Sequence, residues 1–280
     1  MNDIAARLHV LMARESPVAV VIRRGPTRHT ATFLWDRRKD NFTLGQWLKG
    51  RIYERRSDLS PDGKHLLYFA MNGYWRSETQ GSWTAISKAP YLKAISLFAK
   101  GDCWDGGGLW MNNREIWLNG GYCKVLKEAR DIEYDVCARP AESVGHECWG
   151  VYVPRLIRDG WKLVDRLGGY CRCLIFDKPM GSGWTLRKIA VAGPSEEGKG
   201  CYWDEHELIP PQSESKPNGG VVTQSIACPD WQWADVDGSR VVWAAGGKLY
   251  AAQVSINGLA NETELHDFND MHFQAVKAPY

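Results

Sequence analysis

Ser60-Pro61-Asp62-Gly63-Lys64, followed at once by His65-Leu66-Leu67-Tyr68-Phe69, is the stretch from which the fold is read. Proline presets φ for the second position of a turn and glycine tolerates positive φ, so the pentapeptide is a tight turn. The apolar run behind it has the composition of a strand. The same order returns at Asp235-Val236-Asp237-Gly238-Ser239-Arg240-Val241-Val242-Trp243.

Working outward, most of the chain carries strand signals punctuated by turn residues. Segments 18–22 and 30–35 read as a hairpin around Gly25-Pro26. Segments 51–59 and 65–71 flank the Pro-Asp-Gly turn, and 83–87 with 94–98 complete a four-stranded unit. Further strands are predicted at 108–111 and 115–118 around Asn112-Asn113, and at 149–157 and 161–166 around Asp159-Gly160. Others are expected at 172–176 and 184–189 around Gly181-Ser182-Gly183, and at 231–236, 240–245 and 248–254. Two pieces differ. Ile4, Leu8, Leu11 and Met12 share a helical face, which predicts a short helix over 1–15 ended by Pro17. The segment from Phe268 to Phe273 reads as a turn and a short strand, within a closing segment at 265–280.

Turn markers near 62, 113, 159 and 237 lie about one, one and somewhat under two repeats apart, at roughly 40–50 residues per repeat. The chain contains 14 Trp, 11 Tyr and 7 Phe among 280 residues, and such side chains need the wide surfaces that stacked sheets offer. The fold class expected is all-β: one β-propeller domain over 1–280, with five or six four-stranded blades. Short strands at this spacing also describe a β-sandwich, which is the alternative.

Ser60-Pro61-Asp62-Gly63-Lys64 resembles the turn of WD-like propeller repeats, with Asp237-Gly238-Ser239-Arg240 as a looser match. The resemblance implies blades and no activity. Arg158-Asp159-Gly160-Trp161 and Tyr202-Trp203-Asp204-Glu205-His206-Glu207 are similar to phrases of bacterial propeller-like proteins of unknown function.

A formal charge of +2 gives no general reason to expect a nucleic-acid protein. It is unevenly spread, with +6 in residues 1–64 and −4 in the remainder. No run of about 18 apolar residues is present, so no membrane span is expected. The first residues lack a signal-like apolar core, and the eight Cys do not resemble a small disulfide scaffold, so a cytoplasmic protein with reduced thiols is expected.

The densest ionisable cluster is Asp204-Glu205-His206-Glu207. On a strand Asp204 and His206 share one face and Glu205 and Glu207 the other. Paired carboxylates there would suit a propeller hydrolase of glycans or esters. Arg23, Arg24, Arg28, Arg37, Arg38, Arg55 and Arg56, with Trp35 for stacking, are the candidate binding set. Phosphate-backbone binding would need them to converge. Cys171 and Cys173, with His146 and Cys148, have i,i+2 spacings from which a zinc site could be built. Gly193-Pro194-Ser195-Glu196-Glu197-Gly198-Lys199-Gly200 approaches a Walker A loop but has Gly200 where Ser or Thr would bind Mg²⁺, and reads as a loop. No cofactor, nucleotide or dinucleotide is expected. The leading expectation is a protein-interaction scaffold or regulatory subunit with a protein partner. The alternatives are the hydrolase and a nucleic-acid binder using the basic N-terminal meander.

Overall fold

In the computed structural model, the described residues are 5–25, 28–130, 132–145, 147–168, 172–196, 199–211 and 225–280. They form an all-β protein with five sheets and one α-helix. Contacts group the chain into two units, Met1–Asp159 with Asp270–Tyr280, and Gly160–Asn269.

The first unit opens with β1 (Arg7–Met12), β2 (Val18–Arg24), β3 (His29–Asp36) and β4 (Asn41–Lys49), a meander in which each strand pairs antiparallel with the next. The helix expected over 1–15 is corrected here: residues 7–12 are a strand. Leu8, His9, Val10 and Leu11 are all buried, so the strand shows no in-out alternation, and a short unbroken apolar run fits either period.

Next come β5 (Arg51–Ile52), a 3₁₀ turn (Glu54–Arg56), β6 (Asp58–Leu59), β7 (His65–Met71), β8 (Ser82–Lys88) and β9 (Ala94–Ala99). They are followed by β10 (Gly108–Trp110), β11 (Glu115–Leu118), β12 (Lys124–Lys127) and β13 (Asp135–Val136). The second sheet runs β12-β9-β8-β7-β5, with β6 also on β7, and the third runs β10-β11-β13. Strand β7 is buried on both faces. Leu66, Tyr68 and Ala70 join Leu11, Val20 and Ile22 of the first sheet in one apolar cluster. Leu67 faces the other way, onto Trp110 and Ile116 of the third sheet. Each such side chain contributes roughly 1.5–3 kcal/mol by leaving water.

Glu147–Arg158 is a helix, α1, where a strand was predicted over 149–157. Cys148, Val151, Tyr152 and Arg155 are buried at helical spacing, and Val151 packs on Leu109 and Trp117 of the third sheet. Pro154 lies inside α1 and cannot donate to the Gly150 carbonyl. The Ser143 hydroxyl donates to that carbonyl instead, at 2.7 Å, so the interior proline leaves no orphan acceptor there.

Asp58 ties these layers together. Its carboxylate accepts two bonds from Arg158 of α1, at 2.5 and 2.9 Å, and one from the Trp110 N–H of β10, at 2.7 Å. Burial alone would draw the Arg158 guanidinium down, but Asp58 and Asp159 hold it above the ordinary arginine value. Arg155 donates to the Glu54 and Ser57 carbonyls and meets the His9 ring.

In the Pro-Asp-Gly turn, Gly63 has φ +76° and a Cβ there would strike Val18. The Asp62 carboxylate accepts from the Ser60 hydroxyl (2.6 Å) and the Lys64 N–H (3.0 Å). The Ser60 hydroxyl oxygen accepts from the His65 N–H.

The second unit holds β14 (Lys162–Leu167), β15 (Arg172–Pro179), β16 (Thr185–Glu196), β17 (Gly200–Ile209) and β18 (Ile226–Ala227) in one antiparallel sheet. A last meander joins β19 (Trp233–Asp237), β20 (Arg240–Ala245), β21 (Lys248–Ser255) and β22 (Gly258–Asp267). The turn at Gly238-Ser239 pairs Asp237 with Arg240. Residues 193–196 end β16 and Gly200 opens β17, with Glu196 opposite Gly200, and a strand follows where a phosphate-binding loop would lead into a helix. The strand expected within 268–273 does not form. Residues 270–280 belong to the first unit as an extended segment, held by Gln46 donating to the Val276 carbonyl at 2.7 Å.

Replacing Asp58 by Ala removes one partner of a buried pair and should cost about 3–5 kcal/mol, read as a lowered urea midpoint. An unchanged midpoint would contradict the role given to Asp58. Asp62→Ala has a pH signature. Burial pushes the Asp62 carboxyl up, but the Ser60 hydroxyl, the Lys64 N–H and the Lys64 ammonium outweigh it and leave the folded pKa low. A carboxylate depressed on folding stabilises above its unfolded pKa, and that contribution vanishes as pH falls through the folded value. The melting-temperature gap between wild type and Asp62→Ala should therefore be widest near neutrality and narrow in acid.

Candidate functional site

The arginines of the N-terminal meander do not form a surface. Arg23 is buried, donates to the Gly25 carbonyl and lies 5.4 Å from the centre of the Trp47 ring. Arg24 pairs with Glu54 at 3.4 Å. Arg37 donates to the Ala13 and Ser16 carbonyls at 3.0 and 2.7 Å. Arg55 is buried over the Tyr152 ring, and Arg56 donates to the Cys103 and Asp105 carbonyls. Trp35 is wholly buried, stacked on Phe42 with its indole N–H on Asp40. Arg28 and Arg38 are exposed. They flank opposite ends of the eight-residue β3, roughly 25 Å apart at the usual strand rise. The set does not converge on one phosphate track.

In the acidic cluster the strand pleat separates the groups as alternation requires. Asp204 and His206 point inward, and Glu205 is exposed. Lys188 of β16 sits directly across from His206 and is 1% exposed. Its ammonium lies 3.2 Å from His206 Nε2, 3.8 Å from the Asp204 carboxylate and 4.8 Å from the centre of the Trp161 ring. It also donates to the Ala234 carbonyl at 3.2 Å, and His206 Nδ1 lies 3.1 Å from the Trp231 carbonyl. On the opposite face Glu205 accepts from the Trp203 indole N–H (3.0 Å) and pairs with Lys199 (3.6 Å). Asp204 and Glu207 thus lie on opposite faces of β17, and this pair does not flank a single bond as glycoside hydrolysis requires. The inward triad is an interior ionic network.

His146 and Cys171 lie outside the described residues. Cys148 is on α1, so the strand spacing proposed for it does not apply, and its sulfur accepts from Arg56 Nε at 3.4 Å. Cys173 is on β15, in the other unit. Among the described residues no three His, Cys, Asp or Glu side chains gather as a metal ion needs. No helix among them is long and apolar enough to cross a membrane.

A different surface stands out at one end of the second sheet. The β7–β8, β9–β10 and β11–β12 connections all leave from this end, because Trp83 pairs with Ala99 and Ala99 with Lys124. Among the described residues, Tyr74 (69% exposed), Trp75 (53%), Trp104 (63%) and Tyr122 (47%) account for every exposed aromatic except Phe273. The three loops are mutually tied. The Ser82 hydroxyl donates to the Asp102 carbonyl at 2.6 Å. Cys123 N–H donates to the Ala99 carbonyl and its sulfur to the Lys100 carbonyl, both at 2.8 Å. Gly106 N–H donates to the Asn119 carbonyl, also at 2.8 Å. Gly107, at φ +76°, lies so close to the Arg56 carbonyl that a Cβ would overlap it.

Sequence reasoning passed over these aromatics because it counted Trp as core. The available signal was their setting: Asn72-Gly73-Tyr74-Trp75, Trp104-Asp105-Gly106-Gly107 and Gly120-Gly121-Tyr122 place each beside turn glycines, outside any strand pattern.

Lys188→Met leaves Asp204 and His206 buried without their cation. It should lower stability by roughly 3–5 kcal/mol, measured as a shift in the urea midpoint, whereas Glu205→Gln on the exposed face should change it by less than about 0.5 kcal/mol. Equal effects would show that the network is not internal. No known protein-family model matches the chain, and no curated protein matches it in sequence.

Proposed function

We propose that this chain is a β-propeller of the WD-like kind, its sheets serving as blades, and that it works as a protein-interaction scaffold or regulatory subunit. The four-strand meanders β1–β4 and β19–β22, each built from sequence neighbours, support the blade reading. The Ser60–His65 turn supports it too, since its Ser and Asp side chains carry the turn's hydrogen bonds.

One observation carries the function: four exposed aromatic side chains in three interlocked loops at one sheet end. Exposed Trp and Tyr offer large contact area at low conformational cost and dominate binding energy where they are buried by a partner. The loops carry Arg76 and Glu78, and Lys100 paired with Asp102 at 3.2 Å, so the surface has no strong sign of charge. It therefore suits a partner segment bearing apolar side chains.

The test is affinity capture from native extract with wild-type chain and a Trp75→Ala/Trp104→Ala variant. A specific partner should be recovered by wild type, and its affinity should fall about 30-fold or more in the variant, as for a truncated hot spot. The melting temperature should stay within a degree or two, since both side chains are exposed. Recovery of the same partner at equal yield by the variant would refute the reading, as would recovery of no specific partner by wild type.

A further inference from the structure

We infer that the opposite end of the same sheet is an anion site for the diphosphate or polyphosphate group of a small molecule. A cavity of about 570 Å³ is lined there by Lys88, Lys93, Lys127, Arg130 and Tyr280, with Ile95, Ala129 and Ile132 as its apolar wall and Glu128 as the one acid among the described lining residues. The size is that of small-molecule sites, which run from roughly 300 to 1,000 Å³. This site is independent of the aromatic loops, which leave from the other end of β8.

The cations come from two stretches of chain, 88–93 and 127–130, with Tyr280 as a third segment between the lysines of the first, and backbone anchors hold each wall in place. Lys88 closes β8, and Lys93 precedes β9. Tyr280 is clamped between them: its hydroxyl donates to the Lys93 carbonyl at 2.6 Å and accepts from the Lys88 N–H at 3.1 Å. The ammonium groups of Lys88 and Lys93 lie 5.2 and 5.0 Å from the centre of its ring. The third wall, after β12, is fastened by the Ala129 N–H donating to the buried Ser96 hydroxyl at 3.0 Å. Lys127 donates to the Ala94 carbonyl at 2.7 Å.

Among the described lining residues, four cations stand against one carboxylate. Among the described residues no carboxylate is bonded to Lys88, Lys93 or Arg130. Holding like charges together costs free energy that an anion relieves, and a partly enclosed cavity strengthens the attraction relative to open surface. Arg130 offers a planar fork suited to phosphoryl oxygens, and the lysines offer mobile point charges. A group with several negative charges satisfies more of these donors than a single sulfate or carboxylate. A partly enclosed recess bounded by three segments favours a small molecule over a long polyanion, which needs a continuous track.

The experiment is calorimetric titration of the full chain at low salt with inorganic pyrophosphate, with sulfate as the single-anion comparison. Pyrophosphate should bind at one site, at least about tenfold more tightly than sulfate, and weaken as salt is raised. Lys93→Ala/Arg130→Ala should weaken it by about tenfold or more with the ligand-free melting temperature unchanged, because both side chains are exposed. If that double variant does not melt cooperatively, Lys93→Gln and Arg130→Gln are titrated singly, and each should still weaken binding. Absence of saturable heat with pyrophosphate would overturn the inference. So would equal affinity for sulfate, or binding that the variants leave intact.

Discussion

The first unit depends on a carboxylate held in its interior. Asp58 accepts from α1 through Arg158 and from β10 through the Trp110 N–H, and its own strand pairs with β7, so a single side chain spans three elements. Removing a carboxylate from water is costly, and it is tolerated here because every bond it accepts is short and two come from a guanidinium. The adjoining residues follow from that anchor. With α1 held down at Arg158, Arg155 one turn earlier reaches the Glu54 and Ser57 carbonyls, adding to the bond that the Glu54 carbonyl already accepts from the Ser57 N–H within the 3₁₀ turn.

Part of the positive charge of the N-terminal quarter is held in the interior. Arg23, Arg55 and Arg56 are buried, with carbonyls or aromatic rings as partners. What reaches solvent at the two ends of the second sheet has a different origin. At one end, glycine-rich connections turn the backbone tightly enough to lift Trp and Tyr outward. At the other, strand ends bring lysines around a tyrosine. The central strand β7 packs apolar side chains on both faces, so the exposed aromatics and the basic recess lie in the connections at the sheet's two ends.

Much of the sheet architecture was legible because it rests on local signals. Hairpins such as 18–24 with 29–36 follow from β-branched runs bounded by Gly and Pro. The turn at 60–65 follows from its side chains. The N-terminal strand was misread because a strand buried on both faces loses the period that identifies it. Helix α1 was misread because Val, Tyr and Pro154 argue for extended structure, and the compensating Ser143 hydroxyl lies outside the helix. The basic recess was invisible for another reason: Tyr280 meets Lys88 across 192 residues, and no local pattern encodes that encounter. The aromatic loops were visible in principle and were overlooked, since aromatic content alone does not separate core from rim. The division of Asp204 and His206 from Glu205 and Glu207 followed directly from strand alternation, but the lysine that completes the inner set required the pairing register.

That register explains why a charged network sits inside the second unit at all. Buried ion pairs contribute little net stability when compared with apolar packing. They do discriminate between alignments. In the observed pairing Lys188 faces His206 and Asp204, while Glu205 and Glu207 stand on the other face. A slip of one residue between β16 and β17 flips a strand's entire face. It would either drive Glu205 and Glu207 inward or carry Lys188 out, leaving Asp204 and His206 buried without a cation. The triad makes one alignment of this long hairpin far better than its neighbours.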